Sequence, residues 1–426
     1  MLDIRFIREN PEAVRAGIAA KRSEDVVDQI LDLDKERRTI IGEVEQLKSR
    51  RNTVSEEIAG LKRTKQPADD KIAEMKGVSD DIAALDQRLR EKELALNLLM
   101  DTVPNMPHSS VPIGNDAKDN VEVKRWSPNG DDSLFEKRAG LDHLALAEKH
   151  GLFDFKRGAK IAAAGFPVYM GRGAQLERAF INFMLDLHTR SHGYTEVLPP
   201  FFVNATSLRG TGQFPKFADQ VYHMPADELY AIPTAEVPVT NLYAEEMIPV
   251  EALPLLHCAF SACFRREAGS YGKDTRGFLR VHEFNKVELV KFTLPENSYE
   301  EHEKLTADAE RVLELLEIPY RRIICCTGDQ SFGNSKQYDL EVWSPVEGAW
   351  LEASSCSNFE DFQARRANIR FKRDAKSRPE FVHTLNGSGL ATSRLMVAFL
   401  ETYQEPDGTI RIPEVLHPYL PFTSIA

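Results

Sequence analysis

In FRREAGSYGKDTRGFLRVHEFNKVEL, Phe264 to Leu289, two arginines and a glutamate close one apolar run. Glycines at 269, 272 and 277 mark a flexible connecting loop, and a second run returns with charged and aromatic residues at even spacing. Side chains alternate faces along a strand, so Arg280, His282, Phe284, Lys286 and Glu288 share one side. Leu279, Val281, Val287 and Leu289 share the other, an apolar side broken only by Glu283 and Asn285. Arg265 and Glu267 stand two apart on the partner strand. Charge alone would suit a solvated sheet. A phenylalanine exposed among charges does not serve solubility, however, and a flat ring beside an arginine is a seat for a purine base. The pattern predicts a ligand-facing sheet.

Three further segments carry candidate chemistry. HTLNGSGLATSRLMVAFLETY, His383 to Tyr403, places a glycine-flanked serine before an apolar helix with Arg394 about one turn inside it. A cation there needs an anion, either a phosphate drawn to the helix N-terminus or the carboxylate of a structural salt bridge. In WLEASSCSNFEDF, Glu352 could hold a divalent cation through hard oxygens. Strict alternation pairs Glu352 with Ser354, so Ser355 joins such a site only if the strand ends or bulges. In YAIPTAEVPVTNL, Thr234 could cap a helix with Glu236 in its first turn. Val237 leaves the capping box incomplete, which frees the polar pair to serve a ligand.

The elements that must position these residues follow from periodicity. Ile30, Leu33, Arg37, Ile40, Val44, Leu47, Arg51, Val54, Ile58 and Leu61 form one heptad seam. A second runs through Ile72, Met75, Ser79, Ile82, Leu85, Leu89, Lys92, Leu96 and Leu99, with the turn signal TKQPADD between them. The prediction is a helical hairpin whose tip, at some 40 residues per helix, reaches on the order of 60 Å. Near the tip Lys48, Arg50, Arg51, Lys62, Arg63, Lys65, Lys71 and Lys76 outnumber acids, although 54 Lys and Arg against 66 Asp and Glu give the whole chain a net charge of -12. A basic finger on an acidic body suits phosphate contact; a solvated coiled-coil face is the alternative.

The 426 residues allow two or three domains. Residues 1–105 are assigned to the arm domain, 106–120, rich in proline and glycine, to a linker, and 121–426 to an α+β body with an antiparallel sheet flanked by helices. Helices are expected over Ala174–Arg190 and Tyr299–Leu316, and strands over YTEVLPP, LLHCAFSACF, VELVKF, RRIICCTG and YDLEVWSP. Neither G-x-x-x-x-G-K-[ST] nor G-x-G-x-x-G occurs. The five cysteines contain no C-x-x-C pair and are expected as reduced core residues, so no zinc is expected. No apolar run is long enough to cross a bilayer and the first residues do not form a signal peptide, which predicts a cytoplasmic protein without a membrane partner.

Taken together these segments resemble the bacterial-type seryl-tRNA synthetases, which are class II aminoacyl-tRNA synthetases. GYTEVLPP is similar to the first class motif, CFRREAGSYGKDTRGFLRVHEFNKVEL to the second and GLATSRLMVAFLE to the third, in order and behind a helical arm. The adjacent Cys325 and Cys326 lie outside the motifs.

The resemblance implies a homodimer through the first motif, Mg²⁺ as cofactor, and ATP, L-serine and tRNA(Ser) as substrates, with tRNA(Sec) a second candidate acceptor. It implies that Arg265 grips the α-phosphate and the substrate carboxylate and that Arg394 reaches the far phosphates. ATP would also meet Arg266, Glu267, Arg280, the backbone near Val281, the ring of Phe284, and the run Glu352, Ala353, Ser354, Ser355. Glu352 and Ser355 would take Mg²⁺. Thr234, Ala235 and Glu236 would hold the serine amino group, and Glu288 and Ser388 would line its side-chain pocket. Lys48, Arg50, Arg51, Lys62, Arg63 and Lys65 would meet tRNA. Two rivals keep the same residues: an enzyme that loads a carrier protein, which would have no use for the arm, and a scaffold that has lost activation, which would have no use for Arg265, Glu352 and Arg394.

Overall fold

The two heptad seams become two long helices in the computed structural model, which describes residues 1–267 and 277–426. Helix α1 spans Val27–Arg63 and α2 spans Asp69–Met100, with 37 and 32 residues, so they extend roughly 55 and 48 Å, shorter than expected. Their mutual contact buries Ile30, Ile40, Val44 and Val54 on α1 and Val78, Ile82 and Leu96 on α2. Three seam positions are corrected. Val78 rather than Ser79 is buried, and Ile72 is 45% exposed while Lys71 turns inward between Glu57 (2.7 Å) and Glu74 (3.2 Å). Steps of three or four both satisfy the helix period, and the apolar Val78 gains more from burial than a serine does. Arg51, also placed in the seam, is exposed. Asp34 is buried and held by Arg8 (2.9 Å), Arg38 (3.0 Å) and Arg37 (3.4 Å).

The chain divides into two units, Leu2–Pro104 and, with Met1, Asn105–Ala426. In the second, eight strands form one sheet: β1 Val121–Trp126, β2 Thr195–Glu196, β3 Leu255–Phe264, β4 Glu283–Thr293, β5 Tyr320–Ile324, β6 Lys336–Ser344, β7 Ala349–Asn358 and β8 His383–Ala391. Their order is β1-β5-β6-β7-β8-β4-β3-β2, antiparallel throughout except β2 beside β3. Helices α3 (Gly171–Arg190), α5 (Ser298–Leu315) and α7 (Thr392–Tyr403) cover one face; α4 is Glu236–Thr240 and α6 is Phe362–Ala367. The core lies between those helices and the sheet, where Phe180 and Phe399 meet edge to face at 5.0 Å beside Val287, Leu289 and Leu340.

Gly389, which flanks Ser388, shows why that serine is bracketed by glycines. A Cβ at 389 would fall 2.6 Å from His188 Nε2 of α3, so the backbone there lies closer to the helix than any side chain permits. The segment 106–120 is tied into the body: His108 N donates to Ser335 O (2.9 Å), Thr327 N to Pro112 O (2.9 Å) and Cys326 N to Asn120 Oδ1 (2.9 Å). The glycines at 269 and 272 lie outside the described residues.

Candidate active site

Alternation along β4 puts Phe284, Lys286 and Glu288 on the face opposite the helices, where they line a cavity of about 540 Å³. Val287 and Leu289 join the core on the other face, and Asn285 there donates to buried Glu177 Oε1 (2.7 Å), which also accepts from Thr392 Oγ1 of α7 (2.5 Å). The strand begins at Glu283, so the expected face ends at Phe284. Arg280 still reaches the cavity, donating to Glu267 Oε2 (2.5 Å), but His282 does not. Its ring lies on Phe166 at 5.6 Å and Nδ1 sits 3.1 Å from Tyr222 Oη. Without a continuous strand there, period-two alternation no longer dictates direction.

At one end, Phe284 presents its ring beneath the Arg265 guanidinium, 5.1 Å from the centroid. Arg265 Nε donates to Pro233 O at 3.3 Å, and its backbone N to His282 O at 2.9 Å, just past the end of β3. Arg265 is exposed, but Phe284 is buried among Cys263, Phe278, Val281 and Val397, so the ring expected to stand exposed among charges offers the cavity only the part of its surface beside the cation.

The inner end is polar and buried. Thr234 Oγ1 donates to Glu288 Oε2 (2.8 Å) while accepting from Lys286 Nζ (2.9 Å) and Glu236 N (3.2 Å). Lys286 Nζ also pairs with Glu288 Oε2, and Asn386 Nδ2 of β8 donates to Glu288 Oε1 (3.1 Å). The cap of α4 is Ala235, which is fully buried in the core, so Thr234 serves both the helix start and the cavity. Glu236 Oε1 accepts from Gln363 Nε2 of α6 (2.6 Å), whose Oε1 accepts from Thr384 Oγ1 (2.7 Å). Burial, then the neighbouring Glu288 carboxylate, push the Glu236 carboxyl up to about 7 against the opposing pull of Gln363, Lys286 and Arg265.

A β-bulge shapes the third corner. The β6–β7 register passes from Leu340 opposite Ser354 to Glu341 opposite Glu352, which leaves Ala353 as the extra residue. Ser354 turns its hydroxyl to Ser388 O (2.6 Å), whereas Glu352 is exposed and Ser355 half-buried at the cavity wall. The sequence required the strand to end or bulge for Glu352 and Ser355 to act together, and it bulges. Asp339 faces Ser355 across the strands and accepts from Gln337 Nε2 (2.8 Å) and Cys325 Sγ (3.2 Å). Burial, then Glu352, raise its carboxyl. Burial and Asp339 likewise push the Cys325 thiol up, so it stays a protonated donor. Arg394, third residue of α7, donates through Nη1 to Glu352 O (2.9 Å) and Oε2 (3.3 Å) and through Nε to Leu279 O (3.4 Å).

The cavity therefore gathers Thr234, Glu236, Arg265, Glu267, Arg280, Val281, Phe284, Glu288, Glu352, Ala353, Ser354, Ser355, Ser388 and Arg394. Arg266 and Ala235 are outside its lining; Arg266 is exposed, with its backbone N on Gln220 O (2.9 Å). Lys286 shared the ligand face in the sequence without a role. Asn386, Asp339 and Gln363 were missed: alternation marks the right face for Asp339 and Asn386 only once their strand partners are known, and nothing local marks Gln363. On the arm, Arg50 pairs with Glu74 (2.7 Å) and Lys48 approaches Asp86 (4.0 Å). Among the described residues Arg51, Lys62, Arg63 and Lys65 have no ion-pair carboxylate. All five cysteines are buried and free.

Residues 1–107 match the family model described as the seryl-tRNA synthetase N-terminal domain, and residues 220–403 match the tRNA synthetase class II core domain (G, H, P, S and T). A serine--tRNA ligase of Chloroherpeton thalassium is 58% identical over 424 residues, 99% of each chain. One from Chlorobium luteolum is 58% identical over 433 residues, 100% of this chain and 99% of the relative. Among solved structures, seryl-tRNA synthetase from Pyrococcus horikoshii complexed with ATP superimposes with a TM-score of 0.92 at 38% identity, covering 100% of this chain and 99% of that one. Cytoplasmic serine-tRNA ligase from Naegleria fowleri in complex with AMP gives 0.85 at 28% identity, covering 100% and 98%.

Proposed function

The chain belongs to the seryl-tRNA synthetases, class II enzymes that ligate serine to tRNA, and on that premise we propose how its cavity performs the reaction. Adenine of ATP stacks on Phe284, the α-phosphate lies under Arg265, and the far phosphates reach Arg394, which exchanges its Glu352 partner for them. The carboxylate of L-serine also meets Arg265, its ammonium lies by Glu236 and the backbone of Thr234 and Ala235, and its side chain points to Glu288 and Ser388. What carries this reading is the convergence of the Arg265 guanidinium, the Phe284 ring and the Glu288 carboxylate on one cavity.

The serine carboxylate attacks the α-phosphorus, the bond to pyrophosphate breaks, and seryl-adenylate forms. Arg265 and Arg394 meet the charge that develops on the phosphates, so positioned electrostatics replace a covalent nucleophile. The 3'-terminal ribose hydroxyl of tRNA then attacks the activated carbonyl, giving the ester and releasing AMP. Glu352 and Ser355, hard oxygens brought to one side by the bulge, fit Mg²⁺, which when bound neutralises phosphate charge.

Residues 1–105 act as the tRNA-binding domain, with Arg51, Lys62, Arg63 and Lys65 of the arm on phosphates, Lys48 and Arg50 joining once freed from their carboxylates, and tRNA(Sec) a second acceptor beside tRNA(Ser). A homodimer forms through Gly193–Pro200, where Leu198 is 75% exposed. No described helix is long and apolar enough to cross a membrane, and a cytoplasmic enzyme is proposed. Serine-dependent exchange of pyrophosphate into ATP, followed by charging of purified tRNA(Ser) and tRNA(Sec) with each amino acid, tests the assignment. Serine alone should support both steps. Exchange without serine dependence, or none, would refute it.

A further inference from the structure

Lys286 is a buried cation, 5% exposed, in a cavity lined by three buried carboxylates, Glu236, Glu288 and Asp339. Removing an ammonium from water is costly unless every proton finds an acceptor. Among the described residues its protons have two: Thr234 Oγ1 at 2.9 Å and Glu288 Oε2. An ammonium carries three, and Lys286 lines the cavity, so the third is directed to whatever fills it.

The acceptors around it are equally countable. Thr234 Oγ1 has one proton and two lone pairs; the proton goes to Glu288, and the lone pairs take Lys286 Nζ and Glu236 N, so this hydroxyl is saturated. Glu288 Oε2 takes Thr234 and Lys286, while Oε1 takes only Asn386 Nδ2 and keeps a lone pair. A free acceptor on Glu288 and a free proton on Lys286 thus stand side by side. A hydroxyl is the group that satisfies both, giving its proton to the carboxylate and receiving one from the ammonium. A methyl group there would leave a buried ammonium proton and a buried carboxylate lone pair without partners.

We infer that Lys286 donates to the hydroxyl oxygen of the substrate while Glu288 accepts from it, which makes Lys286 a specificity-determining residue; this rests on the cavity taking serine as proposed above. The saturated Thr234 hydroxyl leaves only the backbone of that residue for the substrate amino group.

Non-hydrolysable seryl and alanyl sulfamoyl-adenosine differ by that hydroxyl alone, and titration calorimetry of each, with ATP as a third probe, tests the inference in the full-length protein. In Lys286→Met the seryl-to-alanyl affinity ratio should fall about 10- to 100-fold, with ATP affinity little changed. Lys286→Gln keeps a neutral donor and should recover part of the ratio. An unchanged ratio in K286M, or a loss shared by both analogues and ATP, would mark a purely structural lysine and overturn the inference. Should K286M not fold, K286Q decides: a ratio equal to that of the native protein overturns the inference, and a several-fold smaller one supports it. If the native protein itself fails to prefer the seryl analogue, the fault lies with the serine assignment instead.

Discussion

Glu236 and Glu288 share the inner end of one cavity, and they are not equivalent. Glu288 has Lys286, Thr234 and Asn386 on its oxygens, whereas Glu236 is satisfied by the neutral amide of Gln363. Burial and Glu288 raise the Glu236 carboxyl to about 7. An ammonium is held better by the ionised form, so serine binding should weaken as protons are added. The KM for serine in pyrophosphate exchange is expected to rise as pH falls below about 7, approaching ~10-fold per pH unit, and to lose that dependence in Glu236→Gln. Because the shift is upward, the group's contribution to folding has the opposite sign. It is fully present below the ordinary carboxyl range and lost as pH rises through 7, so Glu236→Gln should raise Tm relative to the native protein more at pH 8 than at pH 5, read by calorimetry. At the other end, Arg265 is placed on charge that develops only during reaction. Arg265→Ala should lower exchange by about 10²- to 10³-fold and, because Arg265 pulls the Glu236 carboxyl down, should also move the serine pH profile to higher pH.

At the level of elements, the second-motif hairpin was legible because strand period, turn glycines and charge agreed over a long run, and LLHCAFSACF became β3 residue for residue. Legibility ended where the backbone left the strand: His282 went to Phe166 instead of the cavity. Gln363 was not legible because it reaches Glu236 from a helix 127 residues further along the chain, a distance that local pattern does not encode. The bulge was visible only as a condition. WLEASSCS reads as simple alternation, and pairing with β6 adds the extra residue at Ala353 that turns Glu352 and Ser355 to one side. Inserting one alanine between Leu340 and Glu341 should give Ala353 a partner, restore simple alternation along β7 and swing Ser355 away from Glu352. The expected result is an exchange rate at least 10²-fold lower and a higher midpoint for Mg²⁺ activation, with circular dichroism unchanged. Normal Mg²⁺ dependence in that variant would show that the bulge does not form the cation site.

At the scale of the molecule, charge separates the two tasks. The chain carries -12 overall, so a polyanion is repelled by most of its surface and must be met by local cations. The tip of the arm concentrates them, but not equally: Arg50 already faces Glu74 and Lys48 faces Asp86, whereas Arg51, Lys62, Arg63 and Lys65 face solvent. A cation must give up a carboxylate before it can take a phosphate, so the four solvent-facing residues should carry most of the counterion release. The log–log dependence of tRNA(Ser) affinity on salt is therefore expected to lose about 3 units of slope when Arg51, Lys62, Arg63 and Lys65 are changed together to Gln, and under 1 unit when Lys48 and Arg50 are. Serine-dependent exchange should be untouched in both variants, because none of the six residues lines the cavity. A loss of about 2 units for Lys48 and Arg50, the same per residue as for the other four, would mean that the ion pairs along the arm open without cost on binding. A slope unchanged from the native protein would mean that tRNA is held by shape elsewhere, and the arm would then act as a spacer that sets distance and contributes no charge.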